Sequence, residues 1–387
     1  MNVLLLLVLC TLAMGCGATS PPQPAARPSS LLSLDCNSSY VLDIANDILQ
    51  DINSDRKDGY VLSLNRVSDA REHRQEAGLG SLFYFTLDVL ETGCHVLSRT
   101  SWKNCEVRIF HESVYGQCKA IFYINKEKRI FYLPAYNCTL RPVSQSAIIM
   151  TCPDCPSTSP YDLSNPRFME TATESLAKYN SESPSKQYSL VKITKTSSQW
   201  VFGPAYFVEY LIKESPCVKS EGSSCALESP GSVPVGICHG SLGEPQGNQG
   251  KIISVTCSFF NSQAPTPRGE NATVNQRPAN PSKTEELQQQ NTAPTNSPTK
   301  AVPKGSVQYL PDWDKKREGS QEKDPVETFP VQLDLTTNPQ GEPLDVSFLF
   351  QEPMEEKVVI VPFPSKEQRS AECPGPAQKG YPFILPS

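Results

Sequence analysis

The sequence predicts an α+β fold built twice, each time as one helix packed on an antiparallel sheet, followed by a largely irregular Pro-rich C-terminal region. Two observations carry this. A ladder of four cysteines, Cys94, Cys105, Cys118 and Cys138, returns about 120 residues later as Cys217, Cys225, Cys238 and Cys257. The same features precede each ladder: an apolar-periodic stretch, the matching segments Leu49 to Ser54 and Leu176 to Ser181, a tyrosine (Tyr60, Tyr188), and a glycine 14 residues before the first cysteine (Gly80, Gly203).

The chain opens with an apolar run over 2–14, too short to span a bilayer and followed by Gly15, Gly17 and Ala18. It reads as a signal peptide over 1–18, so the mature protein is expected to be secreted, although Lys and Arg are missing from its start. Unit one spans 28–141. Its helix carries Val41, Leu42, Ile44, Ala45, Ile48, Leu49 and Ile52, close to a 3.6-residue period, and strands are expected over 60–67, 82–90, 106–110 and 120–124. A linker covers 142–164. Unit two, 165–259, repeats the plan with Phe168, Ala172, Leu176, Ala177 and Tyr179 on the helix and strands over 188–194, 205–213 and 252–259. The region 260–387 holds 19 of the 35 prolines and is expected to be partly disordered, above all over 262–305, with β-like pieces at 346–350 and 358–361.

Of 14 cysteines, Cys10 and Cys16 leave with the signal, and the remaining even number predicts six disulfides in an oxidising compartment. The repeat suggests Cys94–Cys105, Cys118–Cys138, Cys217–Cys225 and Cys238–Cys257, although spacing alone does not prove connectivity. Cys36 and Cys373 stand outside both units, and a bond between them would tie the tail back to unit one. Sequons at Asn37, Asn137 and Asn271 agree with export. A net charge of -6, spread along the chain, points to neither nucleic acid nor an anionic membrane, and a monomer is expected. No cofactor or enzymatic activity is expected. His111-Glu112 starts like a zinc-protease motif but lacks the second histidine. The four histidines, at 73, 95, 111 and 239, have no metal or triad spacing, and neither G-x-S-x-G nor a P-loop occurs.

Between the units stands Cys152-Pro153-Asp154-Cys155-Pro156. Half a zinc site would need a second ligand pair, which is lacking, and a redox pair would open a helix in an α/β unit. A local disulfide completes the even count. The ring would then display Asp154 at a tip stiffened by Pro153 and Pro156. A rigid carboxylate can occupy the open position of another protein's metal at small entropic cost; equally, the ring can be a staple with a solvated aspartate.

The helix-and-sheet unit with two C-terminal disulfides resembles a cystatin domain. Two such units with a Pro-rich tail and an end-to-end disulfide resemble the fetuin family. The strings that carry this are Asp55-Arg56-Lys57-Asp58-Gly59-Tyr60, Leu87-Asp88-Val89-Leu90-Glu91-Thr92-Gly93-Cys94-His95 and Cys152 to Pro156. The resemblance implies an inhibitor of astacin-type zinc metalloproteases, the egg protease ovastacin among them. Asp154 would sit on the protease's zinc, and Cys152, Pro153, Cys155 and Pro156 would form the inhibitory linker. It also implies protection of the zona pellucida from premature hardening, in support of fertilisation. Gln199, Trp200, Val201, Phe202 and Gly203 fit the cystatin Q-x-V-x-G loop and are expected to touch the protease. Trp200 and Phe202 are bulkier than that loop usually carries, and Glu244-Pro245-Gln246 stands where a Pro-Trp pair is usual. Unit one, with Glu76-Ala77-Gly78-Leu79-Gly80, keeps only the last glycine. The alternatives are a cystatin-type inhibitor of cysteine proteases and a plasma carrier or mineral binder like fetuin-A. Mineral binding requires an acidic sheet face, and 82–90 offers only Asp88.

Overall fold

The computed structural model describes residues 31–75, 79–158, 165–183, 186–215, 233–245, 250–260, 304–311, 358–364 and 370–378. The expected signal segment, Cys217, Cys225, Asn271, residues 262–303 and the piece at 346–350 lie outside the described residues. Along the chain the elements are β1 (Leu32–Ser33), α1 (Ser39–Asp55), β2 (Tyr60–Arg74), β3 (Ser81–His95), β4 (Val114–Asn125), β5 (Ile130–Pro142), α2 (Gln145–Thr151), β6 (Ser157–Thr158), α3 (Pro166–Glu182), β7 (Tyr188–Trp200), β8 (Pro204–Glu214), β9 (Gly236–Gly243), β10 (Ile252–Phe259) and β11 (Lys304–Tyr309). They form a six-stranded sheet ordered β1-β2-β3-β4-β5-β11 and a five-stranded sheet ordered β10-β9-β8-β7-β6. Among the described residues no helix is long and apolar enough to cross a membrane.

Each sheet carries one long helix for the same physical reasons. Ser38 caps α1 by accepting from the Val41 amide, and Asn165 caps α3 by accepting from Arg167, with Pro166 at the first helical position. The face of α1 formed by Val41, Ile44, Ala45, Ile48, Leu49 and Ile52 is buried against Phe83, Phe85, Leu87 and Phe122 of its sheet. On α3 the buried face is Phe168, Ala172 and Leu176 against Val208, Tyr210 and Ile212.

The repeated Asn-Ser has a structural cause. Asn53, in the last turn of α1, donates to the Leu62 carbonyl at 2.9 Å and accepts from the Leu62 amide at 2.8 Å. Asn180 does the same to Tyr188, at 2.9 Å both ways. One side chain thus stitches each helix to the first strand of its sheet. The cross-strand disulfides repeat as well. Cys118 faces Cys138 across β4 and β5, and Cys238 faces Cys257 across β9 and β10. Cys94–Cys105 and Cys36–Cys373 are also bonded, the latter closing a separation of 337 residues.

Several expectations need correction. The segment 106–110 is no strand. It makes a single bridge, Thr92 to Val107, just after the Cys94–Cys105 bond has brought it beside β3, and then turns into a 3-10 helix at Phe110–Glu112, with Arg108 paired to Glu209 of the other sheet. β5 and β9 are strands that sequence reading missed. Pro134 interrupts the first pattern, and Gly236, Gly240 and Gly243 dilute the second. Gly240 permits contact, since a Cβ there would lie 2.2 Å from the Ser175 hydroxyl of α3. In the tail, one described element was not expected. β11 pairs parallel with β5, and the Tyr309 hydroxyl donates to Glu91 at 2.7 Å. The expected strand at 358–361 is instead an extended cover on the sheet face opposite α1. There Val358 is fully buried among Leu82, Tyr84, Ile121 and Tyr123. Of the sequons, Asn37 is exposed beside Cys36, and Asn137 is half-buried on β5 with its side-chain Oδ1 accepting from the Ser306 hydroxyl.

The stitching asparagines yield a test. Asn53→Ala should destabilise by about 2 kcal/mol in denaturant unfolding, because it strands the backbone donor and acceptor of buried Leu62, and Asn180→Ala by about 1 kcal/mol, because Tyr188 is only half-buried. Losses below about 0.5 kcal/mol would place the helix–strand junction under packing control alone.

Candidate functional site

The linker is held from both sides. On the unit-one side, Ser144 caps α2 by accepting from the Ala147 amide. Ile148 is buried with Leu90, Tyr115 and Val143, and Cys155 packs against this cluster. The chain leaves α2 through the bond from the Cys152 amide to the Ile148 carbonyl, 2.8 Å. The Cys155 amide then donates to the Cys152 carbonyl at 3.1 Å, and the Cys152–Cys155 disulfide closes the same turn. Asp154 is exposed at its tip. On the unit-two side, β6 pairs with the edge of β7, Ser157 opposite Ser198 and Thr158 opposite Ser197. The Ser157 hydroxyl also donates to Gln145 at 3.1 Å, tying β6 back to α2.

That pairing brings the β7–β8 hairpin beside the ring. The Gln199 side-chain amide donates to the Asp154 backbone carbonyl. Trp200 is 70% exposed and Phe202 86%, too open for core residues. Gly203 sits at φ 130°, and a Cβ there would come within 2.3 Å of the Glu244 carbonyl, so the β9–β10 turn packs directly on the hairpin. The Glu244 amide donates to the Pro204 carbonyl at 2.9 Å, and its carboxylate meets Arg167 at 3.1 Å.

Ile149 and Met150, 54% and 80% exposed, stand just before the ring. The site is therefore one carboxylate between two apolar groups of residues, on α2 and on the hairpin. Among the described residues no group of three His, Cys, Asp or Glu could hold a metal ion.

The two sheets are locked by buried charge. Arg108 meets Glu209 of β8 at 2.8 and 2.9 Å through its two terminal nitrogens, Nη1 and Nη2, and the Tyr60 hydroxyl donates to the same carboxylate. The Arg108 guanidinium also lies 4.2 Å over the Tyr60 ring. Burial alone would push the Glu209 carboxyl up, but the hydrogen bonds and charge of Arg108, with Lys195 and His239, hold it down at about 2. Glu112, from the incomplete zinc-protease motif, is spent on Arg108 at 3.1 Å and Lys195 at 3.4 Å.

The structure thus brings together Cys152, Pro153, Asp154, Cys155, Pro156 and the residues from Gln199 to Gly203. Residues 246–249 of the β9–β10 turn lie outside the described residues. Sequence reading missed Ile149, Met150 and the pairing of β6. The two exposed apolar neighbours beside buried Ile148 were the available signal; two serines forming an edge strand gave none.

Comparison with known proteins bears on this arrangement. The cystatin domain family matches residues 156–238. Fetuin-B of Bos taurus is 99% identical over 387 residues, spanning 100% of both chains. A chain of the inhibitory complex of human meprin beta with mouse fetuin-B matches with a TM-score of 0.71 and 53% identity, covering 92% of this chain and 99% of that one. A chain of mouse fetuin-B in complex with crayfish astacin matches with a TM-score of 0.70 and 52% identity, covering 94% and 99%.

The buried pair makes a pH prediction. The folded-state value of Glu209 is depressed, so its stabilisation is complete above the ordinary value of 4.5 and is lost as pH falls towards about 2. Unfolding free energy should drop by about 3 kcal/mol across that window on account of this group, and Glu209→Gln should remove that part of the slope. An unchanged slope in the variant would assign the acid sensitivity elsewhere.

Proposed function

This chain belongs to the fetuin-B family, and from that premise we propose that it is an inhibitor of astacin-type zinc metalloproteases, and not an enzyme, that blocks the catalytic zinc with the Asp154 carboxylate. One observation carries the reading: a single exposed carboxylate stands at the tip of a disulfide-closed turn that both halves of the molecule hold. A catalytic zinc keeps one position for water, and a carboxylate oxygen can take it. With that water displaced, the protease has no activated nucleophile. The ring and its anchors hold the carboxylate in place before docking, so little freedom is lost on binding. Trp200 and Phe202 on one side, and Ile149 and Met150 on the other, supply the apolar contact that holds the tip in a cleft. Mouse fetuin-B, similar over nearly the whole chain, forms an inhibitory complex with human meprin beta and a complex with crayfish astacin, which supports the protease class of this reading.

Within this class we assign an ovastacin-like egg protease as the target and protection of the zona pellucida from early hardening as the role, on the resemblance of the linker and both units. The disulfides and the apolar N-terminal run support action outside the cell. The competing readings lose ground. Asp88, the only acid on 82–90, is buried between Arg66 at 2.6 Å and Gln117 at 2.9 Å, and the tail covers that sheet with Val358. Gln199, first residue of the cysteine-protease loop signature, is engaged with the linker.

Asp154→Ala should raise the inhibition constant against crayfish astacin about 100-fold or more, and Trp200→Ala about tenfold, with thermal midpoints unchanged. Inhibition by Asp154→Ala equal to that of the unaltered protein would remove the zinc-ligand role. A midpoint that falls in step with inhibition for Trp200→Ala would return that residue to the core.

A further inference from the structure

Gln199 stands one residue beyond the last paired position of β6 on β7. If that ladder continued, Pro156 would face Gln199, but proline has no amide hydrogen to give and the ring has turned the backbone away. The Gln199 side chain takes over where the ladder stops, donating its amide to the Asp154 carbonyl. The Asp154 carbonyl and the Cys155 amide belong to one peptide unit, and the amide is already bound to the Cys152 carbonyl at 3.1 Å. Both polar groups of that rigid plane are therefore fixed, one by the ring and one by the hairpin. The plane adjoins the Asp154 Cα, so fixing it sets the direction in which the carboxylate leaves the ring. The disulfide ties the ring's ends and the Cys155–Cys152 bond holds the amide side of the plane; the Gln199 contact adds the hold on its carbonyl side.

We propose that Gln199 is a positioning residue that aims the Asp154 carboxylate, and that the cystatin-like Gln-x-Val-x-Gly loop has here been divided between two tasks. Gln199, half-buried, faces the linker, while exposed Trp200 and Phe202 face the partner. The corresponding stretch of unit one begins with Glu76, whose carboxylate has no hydrogen to donate, and no such ring lies before it. The inference rests on the metalloprotease-inhibitor reading and adds that the hairpin acts partly through the linker.

Gln199→Met keeps the side-chain length and removes the donor. In the free protein it should speed hydrogen exchange of the Cys155 amide about fivefold, whereas Trp200→Ala should leave that exchange unchanged. Against crayfish astacin, Gln199→Met should weaken binding about fivefold to tenfold, yet by less than about twofold when Asp154 is already alanine. Trp200→Ala should cost the same factor in both backgrounds. An unchanged Cys155 exchange rate, or an equal cost of Gln199→Met with and without the Asp154 carboxylate, would overturn the positioning role while leaving the inhibitor reading in place. Full inhibition by Asp154→Ala alone would instead bring down that reading and the positioning role with it.

Discussion

A loop suspended between two bodies presents a charge in one direction only if the bodies hold still, and the buried Arg108–Glu209 pair is what fixes them. Both side chains are removed from water, which is costly, and the cost is offset only by good geometry. That geometry is present: two parallel contacts, a tyrosine hydroxyl on the carboxylate and an aromatic ring under the guanidinium. Leaving either charge without the other would cost several times what an exposed pair contributes. The exposed Lys192–Asp58 contact at 2.6 Å is of the weaker kind. An apolar seam of Tyr60, Leu211 and Ile237 flanks the charged cluster and excludes water from it. With the sheets locked, Ile148 can anchor one end of the linker and β6 the other without strain between them.

The same unit has been put to two uses. Both keep the asparagine stitch and the cross-strand disulfide, which act wholly inside one unit. Unit one has long strands, up to 15 residues, and further cover: β11 extends its edge, and the segment at 358–364 lies across its outer face. The Cys36–Cys373 bond returns the tail to the start of α1. Unit one is thereby closed on its edges and faces and serves as scaffold. Unit two leaves its hairpin bare, with Trp200 and Phe202 facing solvent, and it is this hairpin that the linker joins.

Much of this was legible in the sequence because it depends on local chemistry. The two long helices announced themselves through periodic apolar faces, whereas α2, a short helix inside the linker, did not. Closure of the Cys152–Cys155 ring and the exposure of Asp154 follow from a short spacing rich in proline. Long-range structure was less visible. β5 and β9 carry proline or glycines where a strand reader looks for unbroken alternation, and sheet neighbours supply what propensity lacks. β11 sits in a polar, Pro-rich region and gains order only from the open edge of β5. The junction of linker and hairpin was hidden for the same reason: Ser157, Thr158, Ser197 and Ser198 have no apolar pattern, and their pairing is decided by where the two sheets lie. Gln199 could be recognised by its motif, but its bond to Asp154 could not, since the two are 45 positions apart.

The central claim is that the carboxylate is effective because it is held before it meets the metal. Opening the ring while keeping Asp154 tests this most directly, by replacing both Cys152 and Cys155 with serine and measuring association and dissociation with crayfish astacin. The account predicts binding weaker by about tenfold to 100-fold, with both units as stable as before. Binding as tight as that of the intact ring would contradict it.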